Sequence, residues 1–314
     1  MRVIFFGTSA FAVPSLRQLA ASRHHVVLCV TQPDRPQGRG LSPQPSPVKQ
    51  AALELGLSVL QPDRLQTEPL AELGAEVGVV AAYGQLIRKD VLEVPTHGMI
   101  GVHPSMLPRS RGAAPIAWAL LNGERTTGVT IFSLSEQLDA GEVLCQQAVA
   151  IEAEEDAETL TNRLATLGAE LLVRTLDLMV KGTVQGTPQD ETQASFAPKL
   201  TKAQGRIDWT QPAVVIERLV RATTPWPGAT TEWRGKPLRV WRASVVASSR
   251  SASSAPGTVA NVSTETVSVV TGDGLLELRE VQPAGRRRMS IKDFLAGHPV
   301  TEGQRFGSHV THDT

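Results

Sequence analysis

The sequence predicts an α/β protein, with a doubly wound, mostly parallel sheet over residues 1–182 and a small antiparallel β-barrel over residues 206–307. Three observations carry that expectation. In the N-terminal part, short and continuously apolar runs alternate with helix-like stretches, as strands buried on both faces require. From residue 206 the texture changes to short β-type runs broken by turns rich in Gly, Pro and Asp. Between the two, residues 183–205 lose all periodicity and read as a linker of Gly, Thr, Gln, Pro and Lys.

Residues 3–6, 26–30, 58–60, 77–83, 99–103 and 129–134 are the expected strands of the first part. Helices are expected over 14–21, 46–56, 65–73, 85–92 and 113–122. Pro14 and Pro47 fall in first turns, and Gly56 and Gly123 at helix ends. A longer helix over 156–181 sets Leu160, Leu164, Leu167, Leu171, Leu172, Leu176 and Met179 along one apolar stripe. Such alternation builds a parallel sheet with helices on both faces. In the second part a helix over 213–221 precedes strands over 230–233, 238–246, 258–262, 267–271 and 275–281, which suggests a small barrel. Residues 248–254, nearly all Ser and Ala, are expected as a hairpin tip, and 308–314 as a frayed tail.

With 314 residues and 41% hydrophobic content, the chain can bury a sizeable core, which excludes a disordered or fibrous protein. Its apolar runs, such as 77–83, are far shorter than the ~18 residues of a membrane span. Met1–Gly7 reads into a strand and not as a signal peptide. Cys29 and Cys145 support neither a disulfide framework nor a zinc site, so the reducing cytoplasm is the expected compartment. Formal net charge is zero, yet residues 206–314 hold 14 Lys and Arg against 10 Asp and Glu. A basic second half hints at a polyanionic partner, although an ordinary solvated surface gives the same imbalance.

Gly7-Thr8-Ser9 follows the first strand, but one glycine stands where a dinucleotide fingerprint has three. A tight turn before a helix accounts for it. The run from Gly98 to Ile116 is more informative. A buried strand ends at His103 and the chain then passes through Pro104 and Pro108 towards a helix. Ligands of open parallel sheets bind beyond the carboxyl ends of the strands, so His103 stands where a catalytic imidazole or a packed strand-end histidine would serve equally. Asp139, in Gln137-Leu138-Asp139-Ala140-Gly141-Glu142, lies on a Gly-containing loop between apolar strands. Alone, it reads as a turn residue.

Taken together, Gln32-Pro33-Asp34-Arg35-Pro36 with Gly38-Arg39-Gly40, the run 102–116 and Leu138-Asp139-Ala140-Gly141 closely resemble the methionyl-tRNA formyltransferases. Arg206-Ile207-Asp208-Trp209, Pro225-Trp226-Pro227-Gly228, Val240-Trp241-Arg242-Ala243, Thr271-Gly272-Asp273-Gly274 and Gln282-Pro283-Ala284-Gly285 extend the resemblance to about residue 307. The N-terminal motifs are shared with other folate-dependent formyltransferases; the proline-rich loop and the C-terminal set point to the tRNA-directed family. The resemblance implies a Rossmann-like formyltransferase domain and an OB-like, tRNA-binding barrel. It implies transfer of a formyl group from 10-formyltetrahydrofolate to the α-amine of methionine on initiator tRNA, without a metal. A monomer is expected.

In that family an Asn, a His and an Asp surround the reacting carbon, and His103 and Asp139 match the last two. An imidazole near the developing oxyanion stabilises it, and a carboxylate orients that imidazole or relays protons. Where the family usually has the Asn, this chain has Gly101. Loss of one oxyanion donor costs on the order of 10²–10³ in rate. A water or another side chain could fill the gap, the enzyme could be slow, or the chain could be a degenerate copy; the intact remaining motifs favour compensation.

By the same resemblance Ser105, Met106, Leu107 and Pro108, with Tyr83, Leu86 and Ile87, line the folate site, although Arg88 replaces an expected proline; core packing is the plainer role. Residues 33–49 carry five prolines, which stiffen a loop at low entropic cost. Arg35, Arg39 and Lys49 on it would meet the tRNA acceptor end, as would Arg286, Arg287 and Arg288 on the barrel. Trp226, Trp233 and Trp241 read as core more readily than as stacking platforms. Two alternatives remain: a formyltransferase acting on a small amine such as glycinamide ribonucleotide or an amino sugar nucleotide, and a folate- or RNA-binding homologue without catalysis.

Overall fold

Residues 1–37, 42–246 and 254–307 are described by a computed structural model. They fall into two units, one of Met1–Pro115, Arg125–Ile151 and Leu160–Pro198, the other of Ile116–Glu124, Glu152–Thr159 and Lys199–Thr314. The expected hairpin tip, save Ser254, and the tail 308–314 lie outside the described residues.

The first unit holds strands β1 (Arg2–Gly7), β2 (His25–Val30), β3 (Arg35–Gln37), β4 (Ser42–Gln44), β5 (Val59–Leu60), β6 (Val77–Ala81), β7 (Met99–His103), β8 (Thr126–Ser133) and β9 (Val143–Ala150). Seven of them form one sheet in the order β5-β2-β1-β6-β7-β8-β9. Pairing is parallel from β5 to β7, whereas β8 runs antiparallel to β7 and β9 to β8. The edge strand β9 has no range in the sequence reading, because Gln146 and Gln147 interrupt its apolar signal. The β3–β4 ribbon was also missed. It pairs Pro36 with Pro43, which a two-stranded ribbon tolerates because each strand is an edge that needs no second donor row.

Helices α1 (Val13–Ala20), α2 (Pro47–Glu54), α3 (Glu68–Ala71), α4 (Lys89–Leu92), α5 (Pro115–Leu121) and α6 (Ala157–Val180) separate or follow the strands. The start of α2 is fixed locally: Ser46 Oγ accepts from the Lys49 amide and Pro47 occupies the first turn. The expected helices 65–73 and 85–92 shrink to the single turns α3 and α4, since Pro69 tolerates only a first-turn position and Tyr83 and Ile87 are drawn into the core. That core gathers Ile4, Phe6, Val30, Leu70, Val91 and Met99 on one side of the sheet. Gly7 is explained by packing and not by the turn expected there: a Cβ would lie 2.9 Å from that of Ala12, and its φ is not positive. Helix α6 comes close to β7 and β8, where a Cβ on Gly168 would stand 2.9 Å from Val102 Cγ1.

The stretch 183–205 does not behave as one linker. It divides between the units at Pro198, and its first part is stitched to the first unit by backbone pairs Val143 with Thr187 and Arg111 with Phe196. Nothing in a local periodicity signals such pairing.

The second unit contains α7 (Ala213–Ala222), β10 (Ala229–Trp233), β11 (Lys236–Val246), β12 (Val259–Val262), β13 (Val267–Val270), β14 (Leu275–Pro283), β15 (Met289–Ser290) and α8 (Ile291–Gly297). The sheet runs β10-β11-β14-β13-β12, with β15 added to β14, all antiparallel. Closure comes from an extended C-terminal stretch that bridges Arg305 to Thr258 before β12 and Gly307 to Glu232 in β10. Phe306 between those bridges is buried against Trp209 at 5.9 Å and Trp233 at 4.6 Å. Neither β15 nor α8 was anticipated, although Ser290 caps α8 by accepting from the Asp293 amide. Among the described residues no helix is long and apolar enough to cross a membrane.

Phe306→Ala should destabilise the second unit by about 3–5 kcal/mol, since both a large apolar side chain and the seal of the barrel are removed. Chemical denaturation of the full chain followed by tryptophan fluorescence checks this.

Candidate active site

Strand β7 is buried along its whole length and ends at His103, which lies opposite Thr130 of β8. The chain then turns sharply, and Thr130 holds the turn. Its hydroxyl donates to Ser105 O at 2.7 Å and accepts from the Leu107 amide at 3.2 Å and Gln146 Nε2 at 2.8 Å. Gln146 Nε2 also donates to Leu107 O at 2.7 Å. Neither Thr130 nor Gln146 was singled out from sequence, although the β8 register opposite His103 is the signal that finds Thr130.

His103 Nε2 lies 3.0 Å from Ser110 O. A carbonyl only accepts, so the ring donates from Nε2, and in the neutral imidazole Nδ1 carries the lone pair. Nδ1 stands 3.7 Å from Asp139 Oδ2, which accepts from the Gly112 amide at 2.8 Å. Both side chains are largely buried. The structure therefore brings His103 and Asp139 together, as the resemblance implied, and a proton gained at Nδ1 would sit against a carboxylate.

The neighbourhood of Gly101 differs from expectation. Phe132 pairs directly with Gly101 across the sheet, and a Cβ on Gly101 would lie 2.5 Å from Phe132 Cε1 and 2.9 Å from Leu134 Cδ1. The space of a side chain at 101 is thus filled by a phenyl ring, which carries no hydrogen-bond donor. The same ring stands edge-on to His103, centroids 6.3 Å apart at 85°. A side chain does fill the gap, but it offers packing in place of a donor.

A cavity of about 820 Å³ lies at the start of β7, away from His103, and is lined among others by Leu92, Met99, Leu134, Gln137, Gly141 and Gln189; neither His103 nor Asp139 lines it. None of the seven residues assigned to folate from sequence lines it. Tyr83, Ile87 and Leu107 are buried in packing, and burial pushes the Tyr83 hydroxyl up to about 12. Leu86 is 82% exposed. Ser105 is buried with its hydroxyl donating to Arg109 O, and Met106 and Pro108 are half-buried. Among the described residues no group of three or more His, Cys, Asp or Glu side chains is placed to hold a metal ion.

Comparison with known proteins fits this geometry. A family described as Formyl transferase matches residues 1–176, and its C-terminal domain matches residues 199–299. A methionyl-tRNA formyltransferase of Roseiflexus castenholzii is 47% identical over 312 residues, covering 98% of this chain and 99% of that protein. The chain belongs to the methionyl-tRNA formyltransferase family. A second member, from Solibacter usitatus, is 46% identical over 98% of the chain and 99% of its own length. Among solved structures, HypX from Aquifex aeolicus in complex with tetrahydrofolic acid has a TM-score of 0.63 at 20% identity, covering 96% of this chain and 48% of that one. The sugar 3N-formyl transferase WlaRD gives 0.65 at 15% identity, over 91% of this chain and 99% of its own. These two share the fold.

The basic residues expected to meet tRNA are not equivalent. Arg35 is exposed on β3, while Arg39 lies outside the described residues. Lys49 Nζ is paired with Asp34 Oδ2 at 2.7 Å, and this ammonium together with the Gln61 amide holds the Asp34 carboxyl below the usual carboxylate range. On the barrel, Arg286 and Arg287 are exposed and make no side-chain hydrogen bond or ion pair among the described residues. Arg288 is paired with Glu280 and stacks over Trp241 at 4.8 Å, on which Arg239 also stacks at 4.0 Å. Trp233 is core, as expected, but Trp226 is 51% exposed and Trp241 half-buried between arginines.

Gly101→Asn should lower stability by about 1–3 kcal/mol, because Phe132 and Leu134 must shift. The penalty should shrink when combined with Phe132→Ala, a coupling that a double-mutant cycle by urea denaturation measures directly.

Proposed function

We propose that this chain transfers a formyl group from 10-formyltetrahydrofolate to the α-amine of methionine on initiator tRNA, in the cytoplasm. The observation that carries the proposal is the His103–Asp139 pair at the end of β7, in a chain 47% identical to a methionyl-tRNA formyltransferase. When bound, the folate supplies the formyl carbon.

The residues of the chain meet the remaining needs of that reaction. An attacking amine becomes a cation that must lose a proton, and His103 Nδ1, bare in the neutral ring, can accept it. The resulting imidazolium is stabilised on one side by Asp139 and on the other by Ser110 O, so neither gain nor return of the proton requires the ring to turn. Ser105, Met106, Leu107 and Pro108, with Tyr83, Ile87 and the exposed Leu86, are the residues proposed to line the folate site, and Thr130 fixes the turn that carries the first four through Ser105 O and the Leu107 amide. Arg286 and Arg287, with the exposed Arg35, are cations suited to phosphate, whereas Lys49 and Arg288 are already paired with carboxylates.

The deciding assay is formyl transfer from 10-formyltetrahydrofolate to methionyl-initiator tRNA by the natural chain, with glycinamide ribonucleotide and an amino sugar nucleotide as competing acceptors. Transfer to the tRNA alone is expected; turnover confined to a small amine, or none at all, would overturn the reading. His103→Asn and Asp139→Asn should each lower kcat by about 10²-fold or more. Arg286→Ala and Arg287→Ala should raise KM for tRNA and flatten its dependence on salt, by roughly one unit of log–log slope each. Lys49→Ala should do so less.

A further inference from the structure

We infer that Gln189, in the part of 183–205 that belongs to the first unit, is a positioning residue for Asp139, and that residues 187–197 form part of the active site. The inference rests on the reading of His103 and Asp139 given above. Gln189 Nε2 donates to Asp139 O at 2.8 Å and to Gly141 O at 2.7 Å. Its Oε1 accepts from Arg111 Nε at 3.1 Å and Nη2 at 2.8 Å. The orientation of this amide is not arbitrary: guanidinium only donates and carbonyls only accept, so oxygen must face Arg111 and nitrogen the loop. All four of its hydrogen-bonding positions are used.

Each end of this bridge is anchored. Arg111 is only 4% exposed, and two of its three remaining N–H donors go to Glu191 at 2.9 and 2.7 Å. Its backbone pairs with the same stretch, the Arg111 amide donating to Ser195 O at 2.9 Å and the Ala197 amide to Arg111 O at 2.7 Å. The next residue, Gly112, is the one whose amide binds the Asp139 carboxylate. At the far end Asp139 adopts φ +50°, a left-handed conformation that Asp tolerates better than most residues with a Cβ and that the bonds to its main chain hold in place. Gln189 therefore grips Asp139 from both directions, directly by its main chain and through Arg111 by the loop that binds its carboxylate. A free linker has no need of such a residue.

The test compares Gln189→Glu with the natural chain in the tRNA formylation assay. Glutamate keeps the length and accepts from Arg111, but its carboxylate cannot donate to the two carbonyls. We expect kcat to fall at least tenfold while KM for folate and tRNA stays within about twofold and Tm within a few degrees. The pH dependence of kcat/KM should shift, because the charge partner of His103 has moved, and hydrogen exchange of the Gly112 amide should quicken. If Gln189→Glu retains kcat within twofold while Asp139→Asn is inactive, the positioning role is overturned and the pair stands. Full activity of Asp139→Asn would overturn both. Should Gln189→Glu lose more than a few degrees of Tm, Gln189→Met, of equal length and without donor or acceptor, is judged by the same kcat and exchange criteria.

Discussion

Asp139 occupies a backbone region that costs an L-residue roughly 1–2 kcal/mol, and most of the site's architecture follows from keeping it there. The loop that carries it is tight: a Cβ on Gly141 would fall 1.7 Å from Ser133 O, so only glycine lets the chain turn back on β8. The Ser133 amide donates to Glu142 O at 2.9 Å, closing that turn. Outside the loop, the carboxylate is held by one amide and the main chain by one side-chain amide, each from a different part of the sequence. Strain of this kind persists where it is over-determined, and here it sets the distance between a carboxylate and an imidazole.

The reversal of strand direction between β7 and β8 matters as much. Antiparallel register sets Thr130 opposite His103 and Phe132 opposite Gly101, so two residues at the end of one strand each acquire a partner on the next. Thr130 fixes the turn that follows the histidine, and Phe132 fills the volume that Gly101 leaves. Glycine at 101 is then half of a cross-strand pair, and its meaning cannot be read from position 101 alone. Seen as a pair, the departure from the family's usual Asn is a well-packed arrangement and not a vacancy.

Much of the fold was legible because it is local. Strands buried on both faces, the apolar stripe of α6 and the proline at the start of α2 each announce themselves within a few residues. His103 and Asp139 were legible through motifs, though their 3.7 Å approach was not. What escaped depends on contacts between distant stretches. Residues 187–197 lack periodicity because beyond one local turn at Glu191–Gln193 their ordering bonds go to the distant Arg111, Asp139 and Val143. Tyr83 and Ile87, assigned to the folate site through their motif, are packed in the core cluster, and an apolar residue in either role leaves the same mark on the sequence. Lys49 shows the converse: a cation in a suggestive loop whose charge is already spent on Asp34.

The barrel's closing stitch also bears on how the chain is made. Its two bridges join residues 305 and 307 to positions 258 and 232, separations far beyond those of the hairpins between. During ribosomal synthesis β10 through α8 emerge before the residues that seal them, so the sheet spends that interval with both edges open. The first unit meets a milder form of the same delay, because Gln189 is translated fifty residues after Asp139. Loops of that span are slow to close relative to local turns. A nascent chain would thus carry a largely formed sheet before it carries a finished catalytic loop, and competence would arrive late, in two steps, as each distant segment leaves the exit tunnel.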